Sequence, residues 1–201
     1  MNVIDYGIIS PEEGLELEER LLSDGKDAVA IYTRDGPTVS LGRFNNVDEY
    51  VDTNYAKKNT IAIVRRMSGG SAIYSDRDQI VFSVVTKRDS FASKSESYEI
   101  ICNRIVDTLA HLGIEAEYKP KNDVLVNGMK ISGCAQYRNR DTLLHHGTLI
   151  LRLDSERMDS VLRPVKERKY PRLTSVEEAI ERIPDRSEIL DAFKDGFRDL
   201  R

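Results

Sequence analysis

The segment that most constrains this chain is an apolar strand running straight into paired arginines and glycines, Ile61-Ala62-Ile63-Val64-Arg65-Arg66-Met67-Ser68-Gly69-Gly70-Ser71. Glycines admit positive φ and bring peptide N–H groups close to a ligand. Arginine adds planar, bidentate hydrogen bonding, so the turn suits an anion such as carboxylate or phosphate. It is not a Walker A loop, which ends Gly-Lys-Ser/Thr, nor a Rossmann turn, whose third glycine opens a helix. Residues 72–74 and 80–85, which follow, are rich in β-branched and aromatic side chains, so the turn joins strand to strand. Alternation along the strand directs Arg65 and Arg66 to opposite faces.

Around this turn the chain reads as a mixture of strands and helices. A strand over 3–9 precedes a helix opened by Ser10 as N-cap, Pro11 at the first helical position and Glu13 completing a capping box, and reaching about Leu22. Strands over 28–33 and 38–41 flank Arg34-Asp35-Gly36-Pro37 and read as a short hairpin; residues 52–58 read as a short helix. Tyr98, Ile101, Cys102, Ile105, Leu109 and Leu112, spaced by three and four, predict a helix capped at Gly113, with Cys102 on its core face. Strands follow over 114–118, 123–126, 129–135 and 142–153, with Asn127-Gly128 as a type I′ turn. Helices over 155–162, 175–182 and 187–200 are separated by the basic, proline-containing segment 163–172. Strands with mixed short connections and segregated helices predict an α+β fold rather than a βαβ series.

The 201 residues, 40% of them hydrophobic, suffice for one well-buried domain, and 1–201 is read as a single domain. Acidic and basic residues, 34 against 30, are mixed along the chain for a net charge of −4, so no basic face argues for nucleic acid or an anionic membrane. Cys102 and Cys134 lack metal-site spacing, and no leader or 18-residue apolar run appears. The expectation is a soluble, cytoplasmic, reduced protein.

A second constellation lies at Asn122-Asp123, Lys130-Ile131-Ser132-Gly133-Cys134-Ala135-Gln136 and His145-His146-Gly147-Thr148. With the arginine–glycine turn, and with Leu41-Gly42-Arg43-Phe44-Asn45-Asn46, it resembles the catalytic domain of the lipoate–protein ligase A family over roughly residues 28 to 155. The resemblance implies a mixed, largely antiparallel β-sheet flanked by helices, shared with biotin ligases. It implies two reactions: lipoate attacks the α-phosphate of ATP to give lipoyl adenylate, and a lysine of an acceptor protein then takes the acyl group. Acceptors would be lipoyl domains of the 2-oxoacid dehydrogenase E2 or glycine cleavage H protein type.

The same resemblance assigns roles residue by residue. Lys130 is the catalytic cation, bonded to an α-phosphate oxygen and the acyl carbonyl as charge develops. Arg66, Ser68, Gly69, Gly70, Ser71 and Ala72 form the loop that wraps the acyl-adenylate head. Ser132 and Gly133 open a narrow slot. His146 and Thr148 share a strand face at the ligand, with His145 on the other face. Asn122 and Asp123 position the nucleotide, with Asp123 a weak Mg²⁺ ligand. Cys134 reads as a small buried thiol rather than a nucleophile.

The chain departs from the pattern at Ser71 (a third glycine in typical members), at Ser75-Asp76 (a His-Asp pair) and at Asp78-Gln79 (a Gly-Asn step). Single-domain length leads to the expectation that the C-terminal accessory domain of many ligases is supplied by a separate accessory protein; residues 166–174 compare with a shortened adenylate-covering loop. The alternatives are an ATP-independent octanoyl or lipoyl transferase and a non-catalytic protein that binds lipoyl domains.

Overall fold

The computed structural model describes residues 1–164 and 172–200. Ten strands form two sheets among those residues. The larger sheet has the order β1 (Val3–Ile9), β2 (Ala28–Arg34), β6 (Gln79–Lys87), β10 (Thr142–Ile150), β9 (Met129–Arg138), β8 (Asp123–Val126), β7 (Glu117–Lys119). Only β1 and β2 run parallel within it. The smaller sheet places β3 (Thr38–Leu41) between β4 (Ala62–Arg65), parallel to it, and β5 (Ile73–Ser75), antiparallel. The fold is therefore α+β with a mixed, mostly antiparallel sheet.

Helices α4 (Lys94–His111) and α7 (Arg186–Gly196) pack on one face of the larger sheet, where Val29, Ile31, Phe82, Leu143 and Leu149 meet Ile101, Ile105, Leu109 and Phe193. Helix α1 (Pro11–Asp24) covers part of the other face, with Leu17 and Leu21 on Ala30, Tyr32, Val81 and Leu144. Successive residues of β2, β6 and β10 supply the two cores alternately, as a sheet covered on both sides requires. Helices α2 (Val47–Tyr50), α3 (Thr53–Lys58), α5 (Ser155–Val161) and α6 (Val176–Ile180) complete the chain, with a third cluster joining β3, α3 and α5.

Local signals in the sequence hold closely. Ser10 Oγ accepts from the Glu13 amide at 3.1 Å while the Ser10 amide donates to Glu13 Oε2 at 2.7 Å, closing the capping box of α1. Asn127 and Gly128 have φ of 50° and 75°, the two positive values a type I′ turn needs.

One expectation fails: β2 and β3 are not a hairpin, because they belong to different sheets. Backbone pairing of β2 goes to β1 and β6, and that of β3 to β4 and β5. A tight turn between two strands does not settle which partners saturate their amides. Boundaries also move. β10 ends at Ile150 rather than 153, β7 begins at Glu117 rather than 114, and α7 ends at Gly196 rather than 200. Most of the basic segment 163–172 and of the covering loop compared with 166–174 lies outside the described residues. Its far end is anchored, since Lys130 N donates to Arg172 O at 2.7 Å and Thr174 N to Lys130 O at 3.0 Å. No helix among the described residues is long and apolar enough to cross a membrane.

Candidate functional site

A cavity of about 600 Å³ opens between the α1 face of the larger sheet and the smaller sheet, with Arg66, Gly70, Lys130 and His146 in its wall. The smaller sheet delivers the loop. Arg65 and Arg66 leave β4 on opposite sides: Arg65 Nη1 donates outward to the Asn45 carbonyl at 2.8 Å, whereas Arg66 is buried. Arg66 Nη1 donates to Ser40 O at 2.7 Å, Nη2 to Gly69 O at 2.9 Å and Ser71 O at 2.6 Å, and Nε to Ser68 Oγ at 3.1 Å. Burial pulls this guanidinium down to about 10, still charged at neutral pH. Arg66 is thus the frame on which residues 68–71 are wound, and a direct contact with a ligand anion requires it to release one of those carbonyls. The amides of Gly69, Gly70 and Ser71 donate to no acceptor among the described residues and remain for an anion.

Gly70 sits at φ +98°, in the left-handed region that favours glycine, and a Cβ there would lie 3.0 Å from Arg66 Nη2. Gly42 touches the loop from the other side: its Cβ would overlap the Gly70 carbonyl. Gly42→Ala is therefore expected to lower stability by about 1–3 kcal/mol, as overpacking does, measured by urea unfolding; an unchanged midpoint would show that the loop yields freely.

Strands β8, β9 and β10 supply the opposite wall. Lys130 Nζ lies 2.6 Å from Asp123 Oδ1, with both side chains about a quarter exposed or less. A Cβ on Gly133 would come within 2.5 Å of Lys130 Cε and Nζ, so glycine is what lets the ammonium lie flat against β9. Asn122 Nδ2 donates to Cys134 O at 2.7 Å and holds the turn before β8 to β9. Thr148 and His146 share the cavity face of β10, and His145 faces α4, as alternation predicts.

Three expected contact residues are placed elsewhere. Ser132 pairs with Val124, is fully buried, and has an Oγ without a partner among the described residues. An irregularity in register between Val124 and Leu125 puts Lys130 and Gly133 on the cavity side and Ser132 toward α4. Ala72 packs with the β3, α3 and α5 cluster. Ser68, 1% exposed, lies behind the loop.

Sequence reasoning missed Glu18. It belongs to the buried stripe of α1, Pro11, Gly14, Leu17, Glu18 and Leu21, and a carboxylate inside such a stripe was the available signal. Glu18 Oε1 lies 2.7 Å from His146 Nδ1 and accepts from Ser83 Oγ at 2.7 Å, while His146 Nε2 lies 2.6 Å from Ser68 Oγ. Facing a carboxylate, Nδ1 carries a proton, and Nε2 shares the second hydrogen bond with the Ser68 hydroxyl. Burial alone would raise the Glu18 carboxyl, but the charge of His146 and the hydrogen bonds from His146 and Ser83 outweigh it and hold it below the usual carboxylate range. This chain of contacts ties α1, β6 and β10 to the glycine loop. Arg34, buried beside it with Nη1 donating to Pro11 O at 3.1 Å, was missed as well.

The arrangement brings a lysine ammonium, a bundle of backbone amides and a buried carboxylate–imidazole pair to one cavity, and the ammonium and amides fit an anionic ligand. Lipoate-protein ligase LplJ of Bacillus subtilis is 30% identical over 189 residues, 93% of this chain and 56% of LplJ. Octanoyltransferase LipM of Geobacillus kaustophilus is 28% identical over 233 residues, 96% of this chain and 84% of LipM. The chain thus spans little more than half of the ligase it matches and most of the transferase. Among solved structures, a Thermoplasma acidophilum protein with bound lipoic acid superposes with a TM-score of 0.84 at 24% identity, covering 98% of this chain and 84% of the other. A lipoate-protein ligase A bound with ATP gives 0.86 at 24% identity, with the same coverage. Biotin protein ligase of Aquifex aeolicus gives 0.56 at 14% identity over 99% of this chain and 68% of the other. These are likenesses of fold. The sequence profile described as the lipoyl protein ligase A/B catalytic domain matches residues 10–198; over nearly its whole length, the chain belongs to that family.

Proposed function

We propose that this chain is the catalytic part of a lipoate–protein ligase, joining lipoate to ATP as lipoyl adenylate and passing the lipoyl group to a lysine of an acceptor domain. The observation that carries the reading is the convergence of Lys130, on its glycine shelf, and the free amides of the Arg66 loop on one cavity. In the first step a lipoate carboxylate oxygen bonds the α-phosphorus and pyrophosphate departs. In the second the acceptor's amine bonds the acyl carbon and AMP departs. Negative charge grows on the α-phosphate oxygens and then on the carbonyl oxygen, and Lys130 is placed to meet both by turning from Asp123. Gly69, Gly70 and Ser71 would hold phosphate oxygens through their amides. Asn122 and Thr148 line the nucleotide end, and the apolar wall at Leu15 and Val81 receives the acyl chain. The backbone pairing of Lys130 with Arg172 and Thr174 supports a covering role for the end of the basic segment, since water must be excluded from the mixed anhydride.

The donors present do not fit a resident Mg²⁺. At the Lys130 end the cavity wall offers a single carboxylate, Asp123, which Lys130 neutralises in this structure, and Glu18 is engaged by His146, so the side chains alone do not make a resident site.

Acceptors of the E2 or H-protein type fit the reading, and a bipartite ligase from T. acidophilum, solved with its E2 lipoyl domain, is a neighbour in fold at a TM-score of 0.83. By likeness to it, this chain works with a separate accessory protein. An acyl transfer without ATP would need a nucleophile aimed into the cavity, and the Cys134 thiol instead packs against Cys102 on the α4 side.

The deciding assay supplies an acceptor domain with ATP and lipoate, or with preformed lipoyl adenylate, and reads the acceptor's mass. Transfer from the adenylate is expected from the chain alone, and activation of free lipoate once the accessory partner is added. Folded protein that neither binds lipoyl adenylate by calorimetry nor transfers from it would overturn the ligase reading, and acyl transfer from a carrier thioester without ATP would replace it. Robust activation by the chain alone would remove the partner.

A further inference from the structure

Behind the cavity wall, on the α4 side of the sheet, Cys102 of α4, Cys134 of β9 and His145 of β10 form a cluster that the reaction above does not use. All three are buried, Cys102 and His145 completely and Cys134 to 6% exposure; Cys134 is also part of the cavity wall. The two Sγ atoms are 3.8 Å apart, and a ring nitrogen of His145 completes a triangle within 4.8 Å. His145 Nε2 has no hydrogen-bond partner among the described residues, although the ring is wholly buried between Phe82 and Tyr98.

Which proton the ring carries decides between a metal and a thiol chemistry. Gln136 Oε1 accepts from Arg138 Nε at 3.3 Å, which fixes the orientation of the amide. Its Nε2 therefore donates to His145 Nδ1 at 2.9 Å, making Nδ1 an acceptor. The neutral ring must then carry its hydrogen on Nε2. A zinc ligand through Nε2 would need the opposite tautomer, with Nδ1–H donating to a carbonyl or carboxylate. A buried Nε2–H with no partner, on a ring that has a nitrogen within 4.8 Å of both sulfurs, calls instead for an anionic acceptor, a thiolate.

We propose that Cys102 and Cys134 are a peroxide-oxidisable dithiol, Cys134 reacting as a thiolate held by His145 Nε2–H and Cys102 closing the disulfide. The hydrogen bond from the Cys102 thiol, aided by His145 and Lys130, holds Cys134 well below the ordinary thiol value against the opposing effect of burial. The oxidant is a hydroperoxide small enough to reach a buried thiol, hydrogen peroxide in the first instance. Cys134 sulfur bonds one peroxide oxygen, the O–O bond breaks, and hydroxide leaves and takes up a proton. Cys102 sulfur then bonds Cys134 sulfur and expels the second oxygen as water, with the proton of its own thiol. Two thiols are oxidised to one disulfide and one peroxide is reduced to two waters. The sulfurs need only approach from 3.8 Å to about 2.0 Å. The bond ties α4 to the strand that carries Lys130 and Gly133.

The test treats the native chain with hydrogen peroxide and reads intact mass and a non-reducing peptide map. One Cys102–Cys134 disulfide per chain, reversed by dithiothreitol, is expected. In Cys102→Ser, dimedone should trap a sulfenic acid at Cys134, and in Cys134→Ser no label should appear at Cys102. His145→Phe keeps a ring between Phe82 and Tyr98 but removes the N–H, and should slow alkylation of Cys134 in Cys102→Ser by about tenfold, the effect of one unit in thiol pKa. Thiols that react only after unfolding would overturn the proposal. So would a stoichiometric zinc that survives chelation in the parent and is lost with His145→Phe, or alkylation unaffected by that variant.

Discussion

Lys130→Ala is expected to lower acyl transfer to an acceptor domain by on the order of 10²-fold or more, the usual cost of removing a group that meets developing charge. The fold should not notice, with unfolding free energy within about 0.5 kcal/mol of the parent, because a partly exposed ion pair adds little stability. The Lys130–Asp123 contact lies in the cavity wall with the two side chains 25% and 21% exposed, so the carboxylate left behind is partly in reach of water. The informative measurement is single-turnover transfer from preformed lipoyl adenylate, which isolates the chemical step from ATP binding. A variant that transfers at nearly the parent rate would remove Lys130 from the mechanism. One that loses both rate and stability would make it a structural residue.

His146→Ala should have the largest effect on stability, about 3–5 kcal/mol, because it breaks a buried carboxylate–imidazole pair and leaves the carboxylate charge behind. Glu18 is 3% exposed and keeps only the Ser83 hydroxyl and the nearby Arg34 charge when the imidazole goes. Urea unfolding measures the loss. Replacing both partners by leucine should restore much of it, since paired apolar replacement of a buried ion pair is often neutral.

The pH dependence has a defined sign. The folded carboxyl of Glu18 lies below its unfolded value, so its stabilisation is complete above the ordinary carboxylate range near about 4.3 and is lost as pH falls through the folded value. In His146→Ala burial is no longer outweighed and the carboxyl should move up. That variant's contribution from Glu18 should then improve on acidification, the opposite slope. Parallel acid profiles for parent and variant would show that Glu18 is not charged in the native state.

Local features were legible in the sequence where the cause is local. The capping box at Ser10 and Glu13 and the Asn127-Gly128 turn depend on atoms a few residues apart, and the structure reproduces them. The period of Tyr98 to Leu112 gave α4 its buried face and put Cys102 in the core. The arginine–glycine turn and Lys130 with Gly133 were recognisable because glycine marks where backbone or a long side chain must come close, and both glycines do that work here. Residues whose role depends on a distant partner were misread or missed. Ser132 shares its segment with Lys130 and still faces the helices, since one irregular pairing with β8 reverses the alternation. Glu18 looks like any helical glutamate until His146 is beside it, 128 residues away.

The amino-acid sequence by itself determined the α+β class, the strands and main helices, the family and the two segments at the cavity, because propensity, capping and periodicity are written in short stretches of chain. Only the tertiary structure decided that β2 and β3 part into separate sheets, that Arg66 is spent on winding its own loop, and that Cys102 and Cys134 lie in contact beneath His145. Hydrogen-bond partners across a sheet and neighbours across a core are chosen by the whole molecule's demand that every buried polar group be paired and every apolar face covered. No segment meets that demand alone.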